Sequence, residues 1–180
     1  LPPQPMGGAY KLLLSATNEA QKVDALGKDG FSKDANAIVE LAFAVVSDGA
    51  GTVVDVSLGI ANATHATDAD QITESIFVHL DANVTTIFLE SYDGTTEVAA
   101  TSAALTYTEG AGNRKEVWFD MRNPADVQIY VDAVLALPAT VFNVNAATGP
   151  FKLLAHIEKT SSTDAYELDV EWLRARYAEQ

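Results

Sequence analysis

No cysteine occurs anywhere in the 180 residues, which excludes disulfides, thiolate metal sites and a cysteine nucleophile. It assigns no compartment, because a well-packed domain of this size needs no covalent staple. Long apolar runs are also missing, and no stretch approaches the roughly 18 residues a membrane helix needs. Leu1 to Pro5 carries neither the basic segment nor the apolar core of a signal peptide, and a chain beginning with Leu suggests trimming or an internal start. Positive charge is scarce: 11 Lys and Arg face 25 Asp and Glu, for a formal net charge of −14. Binding a phosphate backbone depends on Lys and Arg displacing counterions, so neither a nucleic acid nor an anionic membrane is expected as a partner. Such acidity suits a surface that faces water or a basic partner, and plain solubility explains it equally well. No glycine-rich phosphate loop follows a strand, and no Gly-x-Ser-x-Gly elbow is present.

What the sequence does have is short, regularly spaced apolar segments bounded by Gly, Asn and Asp. Strands are predicted over 10–14, 37–46, 53–60, 75–80, 85–92, 115–121, 127–131, 151–158 and 166–175. In the third of these, Val54, Val56, Leu58 and Ile60 alternate onto one face. Asp81-Ala82-Asn83 reads as a hairpin turn, and Asp93-Gly94 supplies the positive φ of the next. Two stretches could be helical: Ala16 to Leu26, with alanines and a Glu19–Lys22 pair, and at most one turn over Asp68 to Glu74. No internal repeat is apparent. The expectation is an all-β, two-sheet antiparallel jelly-roll sandwich. Residues 1–8, with three prolines, form an extended N-terminal arm, either a disordered terminus or a docking segment, and 9–180 form one domain.

Three stretches carry a resemblance. The first is Ser75-Ile76-Phe77-Val78-His79-Leu80-Asp81 with Thr86 to Thr95. The second is Trp118-Phe119-Asp120-Met121 with Asp126 to Asp132. The third is Pro150 to Ser161 with Leu168 to Arg174. Together they resemble the concanavalin A-like lectin/glucanase superfamily in its laminin G-like form, over roughly residues 37–176. The usual Asp-Gly turn of that pattern reads Asp132-Ala133 here. Alanine disfavours positive φ, so a longer turn or one of another type is expected there. The version seen here is similar to proteins of tailed bacteriophages, and that resemblance implies a virion protein on the outer surface of capsid or tail.

Glu167-Leu168-Asp169-Val170-Glu171-Trp172 resembles the Glu-x-Asp-x-Glu strand of retaining glucanases that share this fold. Period two would put the three acids on one face, with Glu167 as nucleophile, Asp169 as orienting group and Glu171 as general acid. The competing reading is a plain strand with Leu168, Val170 and Trp172 buried and its acids in water. Trp118 and Trp172 both read as buried, and aromatics are only 8%, which leaves few platforms for sugar rings.

His65, His79 and His156 lack HxH or HExxH spacing, so no zinc site is expected from them. Asp48-Gly49, Asp68-Ala69-Asp70 and Asp93-Gly94-Thr95 read as plain turns or as calcium loops of the kind laminin G-like domains hold. Asn62-Ala63-Thr64 and Asn83-Val84-Thr85 fit the glycosylation pattern.

The expected function is therefore non-enzymatic: a capsid decoration or cement protein that binds the major shell protein, works as a homo-oligomer and uses no cofactor. No catalytic, cofactor-binding or metal residue is assigned. The alternatives are a lectin-like carbohydrate-binding module, which would show exposed Trp or Tyr on one face, and a glucanase-type glycoside hydrolase.

Overall fold

The computed structural model describes residues 10–49 and 51–177. The expected arm, residues 1–8, lies outside them. Two six-stranded antiparallel sheets pack face to face. Sheet A runs, in spatial order, β1 (Tyr10–Leu14), β12 (Tyr166–Tyr177), β3 (Ala37–Ser47), β8 (Lys115–Asp120), β9 (Gln128–Val131) and β10 (Val134–Leu135). Sheet B runs β2 (Glu19–Leu26), β11 (Lys152–Ser162), β4 (Val54–Ala61), β5 (Glu74–Asp81), β6 (Thr86–Asp93) and β7 (Glu97–Thr106). Among the described residues no helix is long and apolar enough to cross a membrane.

Period-two patterning builds the core. Val39, Leu41, Phe43 and Val45 of β3 and Val117 and Phe119 of β8 point inward from sheet A. Val54, Val56, Leu58 and Ile60 of β4, Ile76, Val78 and Leu80 of β5, and Leu153, Ala155 and Ile157 of β11 meet them from sheet B. Each larger side chain so buried contributes roughly 1.5–3 kcal/mol.

The helix considered for residues 16–26 is a strand instead, since β2 pairs with β11 from Leu26↔Leu154 to Glu19↔Ser162. β7 is a strand that the apolar pattern does not predict. These two strands are the edges of sheet B, where a strand contacts one neighbour and its apolar alternation is weak. Asp68 to Glu74 does contain one 3-10 turn, Ala69–Gln71.

β12 departs from the simple alternation expected of it. Between Val170 and Trp172 it advances two residues while β3 advances one, from Phe43 to Ala42. This bulge reverses the inward parity. Leu168 and Val170 are buried before it and Leu173 and Ala175 after it, whereas Trp172, expected inside, turns outward and is half-buried. Its ring lies between the guanidinium carbons of Arg114, 4.9 Å away, and Arg174, 5.8 Å away. Trp118, also expected inside, is on the outer face of sheet A, 38% exposed.

The turn at Asp132-Ala133 differs from expectation too. Val131 pairs with Val134, so the connection has only two residues. Both take positive φ, 49° and 65°, as in a type I′ hairpin. Asp132 is held by the Lys115 ammonium at 2.8 Å and the Glu116 N–H at 3.1 Å. Ala133 carries the left-handed strain of roughly 1–2 kcal/mol. Ala133→Gly relieves it, less the extra unfolded-state freedom of glycine, and should raise stability by roughly 0.5–1 kcal/mol in denaturant melts. An unchanged or lower midpoint would contradict this turn geometry.

Candidate functional site

The residues of interest lie on the outer face of sheet B. β2, β11, β4 and β5 pair here without a register shift, so polar residues two apart on each strand fall side by side. One rung of the ladder reads Lys22, Glu158, Asp55, Asp81. The next reads Asp24, His156, Ser57, His79, with Phe88 of β6 beyond. The face between them and the following loop is apolar. Phe77 and Leu154 take up Ala69 and Ile72 of the loop in a small second core with Ala61. That docking sets Asp70 over the sheet. Asp68 caps the 3-10 turn by accepting the Asp70 N–H at 2.9 Å, and His65 Nδ1 accepts the Asp68 N–H at 3.1 Å. Lys22 ties the loop down by donating to the His65 carbonyl at 2.7 Å.

His79 sits at the centre, 4% exposed. Its Nε2 donates to Asp81 Oδ1 at 3.1 Å and lies 3.7 Å from Asp55; its Nδ1 lies 3.3 Å from Asp70 and 3.8 Å from Glu90. Phe88 meets the ring edge-on at 6.3 Å. Burial alone would lower the imidazolium, but Asp70, Asp55 and Glu90 outweigh it and raise His79 to about 10. The carboxyl groups cannot all be ionised so close together. Burial, reinforced by the neighbouring acids, pushes Asp55 up to about 7 and Glu90 up to about 8. Asp70 is lowered: burial opposes ionisation, but its close approach to the His79 ring prevails. One strand pair away His156, fully buried, binds Asp24 through Nδ1 at 2.6 Å and lies 3.3 Å from Glu158.

Several buried atoms here have no hydrogen-bond partner among the described residues: Asp55 Oδ1, Ser57 Oγ, His79 Nδ1, Glu90 Oε1 and His156 Nε2. Beside the rungs opens a cleft of about 440 Å³, whose walls include Gln21, Thr67, Asp55, Asp70, Asp81 and Glu158. Two sets of ligand atoms converge within 4.8 Å, Asp55–His79–Asp81 and Asp70–His79–Glu90, and either has the donor chemistry for a divalent cation.

Of the residues that stand out in the sequence, the ladder brings His79 and His156 onto one rung, and the docked loop adds Asp70. His65 and Asp68 shape the loop above them. Asp93 stands apart: burial would raise its carboxyl, but the N–H groups of Thr96, Thr95 and Ala146 hold it low, so its oxygens are spent on a turn. Asp48 is buried beside Glu109, away from the cluster. Asn62 donates to Glu74 at 2.9 Å, and Asn83 donates to the Gly51 carbonyl. Glu167, Asp169 and Glu171 face outward from sheet A, on the opposite side of the sandwich. Lys11 pairs with Glu167 and lies 3.9 Å from Asp169, and Arg114 binds Glu171 at 3.1 Å. Asp55, Glu90, Glu158, Asp24 and Ser57 belong to no motif that marks them in the sequence. Their one signal is the recurrence of polar i,i+2 pairs on strands otherwise apolar: Lys22/Asp24, Asp55/Ser57, His79/Asp81 and His156/Glu158.

No protein-family model matches this chain, and no curated protein matches it. Solved structures do. The carbohydrate recognition domain of Emp47p superposes with a TM-score of 0.65 at 14% identity, over 98% of this chain and 88% of that one. The potassium-bound carbohydrate recognition domain of Emp46p gives 0.62 at 10%, over 94% and 84%. LamAcat from Zobellia galactanivorans gives 0.61 at 12%, over 94% and 77%. The fold is the concanavalin A-like jelly roll. The Emp47p domain and LamAcat share this two-sheet frame, and the expectation of that fold from the sequence is met.

The charge state of the ladder sets a pH signature. His79, Asp55 and Glu90 all bind protons more tightly in the folded chain than at their ordinary values of 6.5, 3.8 and 4.5. Their contribution is complete below those values and is lost as pH rises toward about 10, 7 and 8 respectively. Thermal melts should therefore show the midpoint falling as pH goes from about 5 to about 9. Glu90→Gln, which mimics the protonated carboxyl, should flatten the part of the slope below about pH 8. A midpoint that rises over this range, or an unaltered slope in Glu90→Gln, contradicts the assignment.

Proposed function

We propose that this chain is a non-catalytic carbohydrate-binding module whose ligand lies in the cleft on the outer face of sheet B. The observation that carries this reading is the cleft itself: carboxylates fixed on a rigid ladder and on the loop docked over it, and presented to solvent. Carboxylates accept two hydrogen bonds in a defined plane, which suits vicinal sugar hydroxyls. Proteins of similar fold supply the analogy: carbohydrate recognition for Emp46p and Emp47p, and laminaritriose and laminaritetraose bound to a LamA variant. At 10–14% identity they support the frame and leave the ligand to the site.

The placement of the acids supports binding over hydrolysis. The Glu167–Asp169–Glu171 strand is ion-paired on the far side of the sandwich from the cleft. The carboxyl groups that hold protons near neutrality, Asp55 and Glu90, both turn toward His79, and Glu90 is only 8% exposed. A retaining pair needs two carboxyls that reach one glycosidic bond from opposite sides. The role on a virus particle is carried by the sequence resemblance and by no residue of the cleft; co-sedimentation with intact particles is its test.

A glycan array followed by calorimetry checks the proposal. Oligosaccharide binding should weaken roughly tenfold in Asp81→Asn, the cost of one charge-assisted hydrogen bond, and stay unchanged in Glu171→Gln. Release of reducing ends from β-glucans, abolished by Glu171→Gln, would overturn it in favour of the hydrolase.

A further inference from the structure

The outer face of sheet A carries groups that the cleft on sheet B does not use. One rung of that face reads Arg174, Glu40, Trp118, Tyr130, Leu135, and the next reads Arg176, Ile38, Asp120, Gln128. Val117, Phe119, Ile129 and Val131 fill the core, so Trp118 and Tyr130 both face outward, side by side on neighbouring strands. Trp118 is 38% exposed and Tyr130 is half-buried. Trp172, nearby on β12, has its ring taken up by the guanidinium groups of Arg114 and Arg174. Among the described residues, no ring or guanidinium stacks on Trp118.

One rung from the aromatic pair opens a shallow cleft of about 310 Å³, formed by Asp120, Arg122, Asn123, Asp126 and Gln128. Its polar groups are fixed by the chain and keep bonding capacity. Arg122 places Nε and one Nη on Asp120, which leaves the other Nη. Gln128 donates to Asp126 at 3.0 Å, which leaves its carbonyl oxygen. Asn123 accepts the Ala125 N–H at 3.2 Å, which leaves its amide N–H groups. The surrounding charge is paired: Arg122 offsets Asp120, and Arg174 and Arg176 offset Glu40. A charged ligand therefore gains little here. A nucleic acid, whose bases also stack, is repelled by the net charge of −14. A protein partner would have to strip water from those ion pairs over about 800 Å².

We infer that this face is a second carbohydrate site, for neutral hexose oligosaccharides. A pyranose ring is apolar on the face to which its axial C–H bonds point and polar around its edge. It seats flat on Trp118 with Tyr130 beside it, and its equatorial hydroxyls reach Arg122, Asn123 and Gln128. The site shares no residue with the sheet B cleft and does not depend on it.

A ¹H–¹⁵N NMR titration of the whole chain with β-1,3-linked and β-1,4-linked glucose tetramers tests this, because each face has its own reporters. For at least one tetramer, the Trp118 indole N–H and the Gln128 side-chain amide should shift together with a single midpoint. That midpoint should stay the same between about 50 mM and about 500 mM salt, as for a neutral ligand. In Trp118→Ala, read through Gln128, it should rise at least tenfold; Trp118→Phe, which keeps a ring, should recover most of the loss. Trp118 is exposed, so neither variant disturbs the core. An unchanged midpoint in Trp118→Ala overturns the inference. Shifts confined to Gln21 and Thr67 overturn it and leave the sheet B reading standing. Shifts at neither place overturn it whatever other glycans bind on sheet B. Shifts at Trp118 produced by a proline-rich peptide and by neither tetramer overturn it as well.

Discussion

Sliding one strand of sheet B by a single residue would turn its side chains over and break the site apart. Every other feature depends on that register. β2, β11, β4 and β5 are in step through the two polar rungs, so groups far apart in sequence share a strip two residues wide. The inner faces fix the step. Val54, Val56, Leu58 and Ile60 cannot face the opposite sheet unless Asp55 and Ser57 face outward, and the same holds for Val78 and Leu80 against His79 and Asp81. Core packing, rather than any attraction among the polar groups, puts the charges together.

Bringing them together is costly, and the structure shows how the cost is limited. Burying unpaired charge is opposed by several kcal/mol per ion. Here one imidazolium is shared among four carboxyl groups, two of which hold protons near neutrality. The loop that carries Asp70 is held down by apolar contact of Ala69 and Ile72 with Phe77 and Leu154, so the acid is placed by hydrophobic burial. Sheet A handles its outer charges differently. Glu40, nearly buried, is neutralised by Arg174 and Arg176, and Arg114 is shared by Glu116 and Glu171. One outer face is balanced internally, while the other retains excess negative charge beside an open cleft. That asymmetry is the reason to look for ligand on sheet B.

Most of the architecture was legible in the sequence, because inward-facing positions at period two are a local signal. Nine strands and the hairpin turns at Asn83 and Gly94 follow from it. It failed at the edges, where Glu19–Leu26 and Glu97–Thr106 carry too few large apolar residues to alternate and Val134–Leu135 is too short to show a pattern. It failed again at Trp172, because a bulge is a property of two strands and leaves no mark on one. The site was less legible for the same reason. His79 and His156 are 77 positions apart in sequence (156 − 79), and only the register through Ser57 makes them neighbours on one rung. The acid triplet on β12 attracts notice because its motif is contiguous, yet its partners Lys11 and Arg114 come from outside that strand and neutralise it.

Everything proposed for the outer face of sheet B depends on His79 being an imidazolium enclosed by carboxyl groups, three of which line the cleft beside it. An NMR pH titration of its ring nitrogens tests this most directly. His79 should stay protonated through pH 8 and titrate near the value of about 10 that its neighbours impose. Titration at or below the ordinary histidine value of about 6.5 would contradict it, and with it the ionised carboxyl groups placed around the ring.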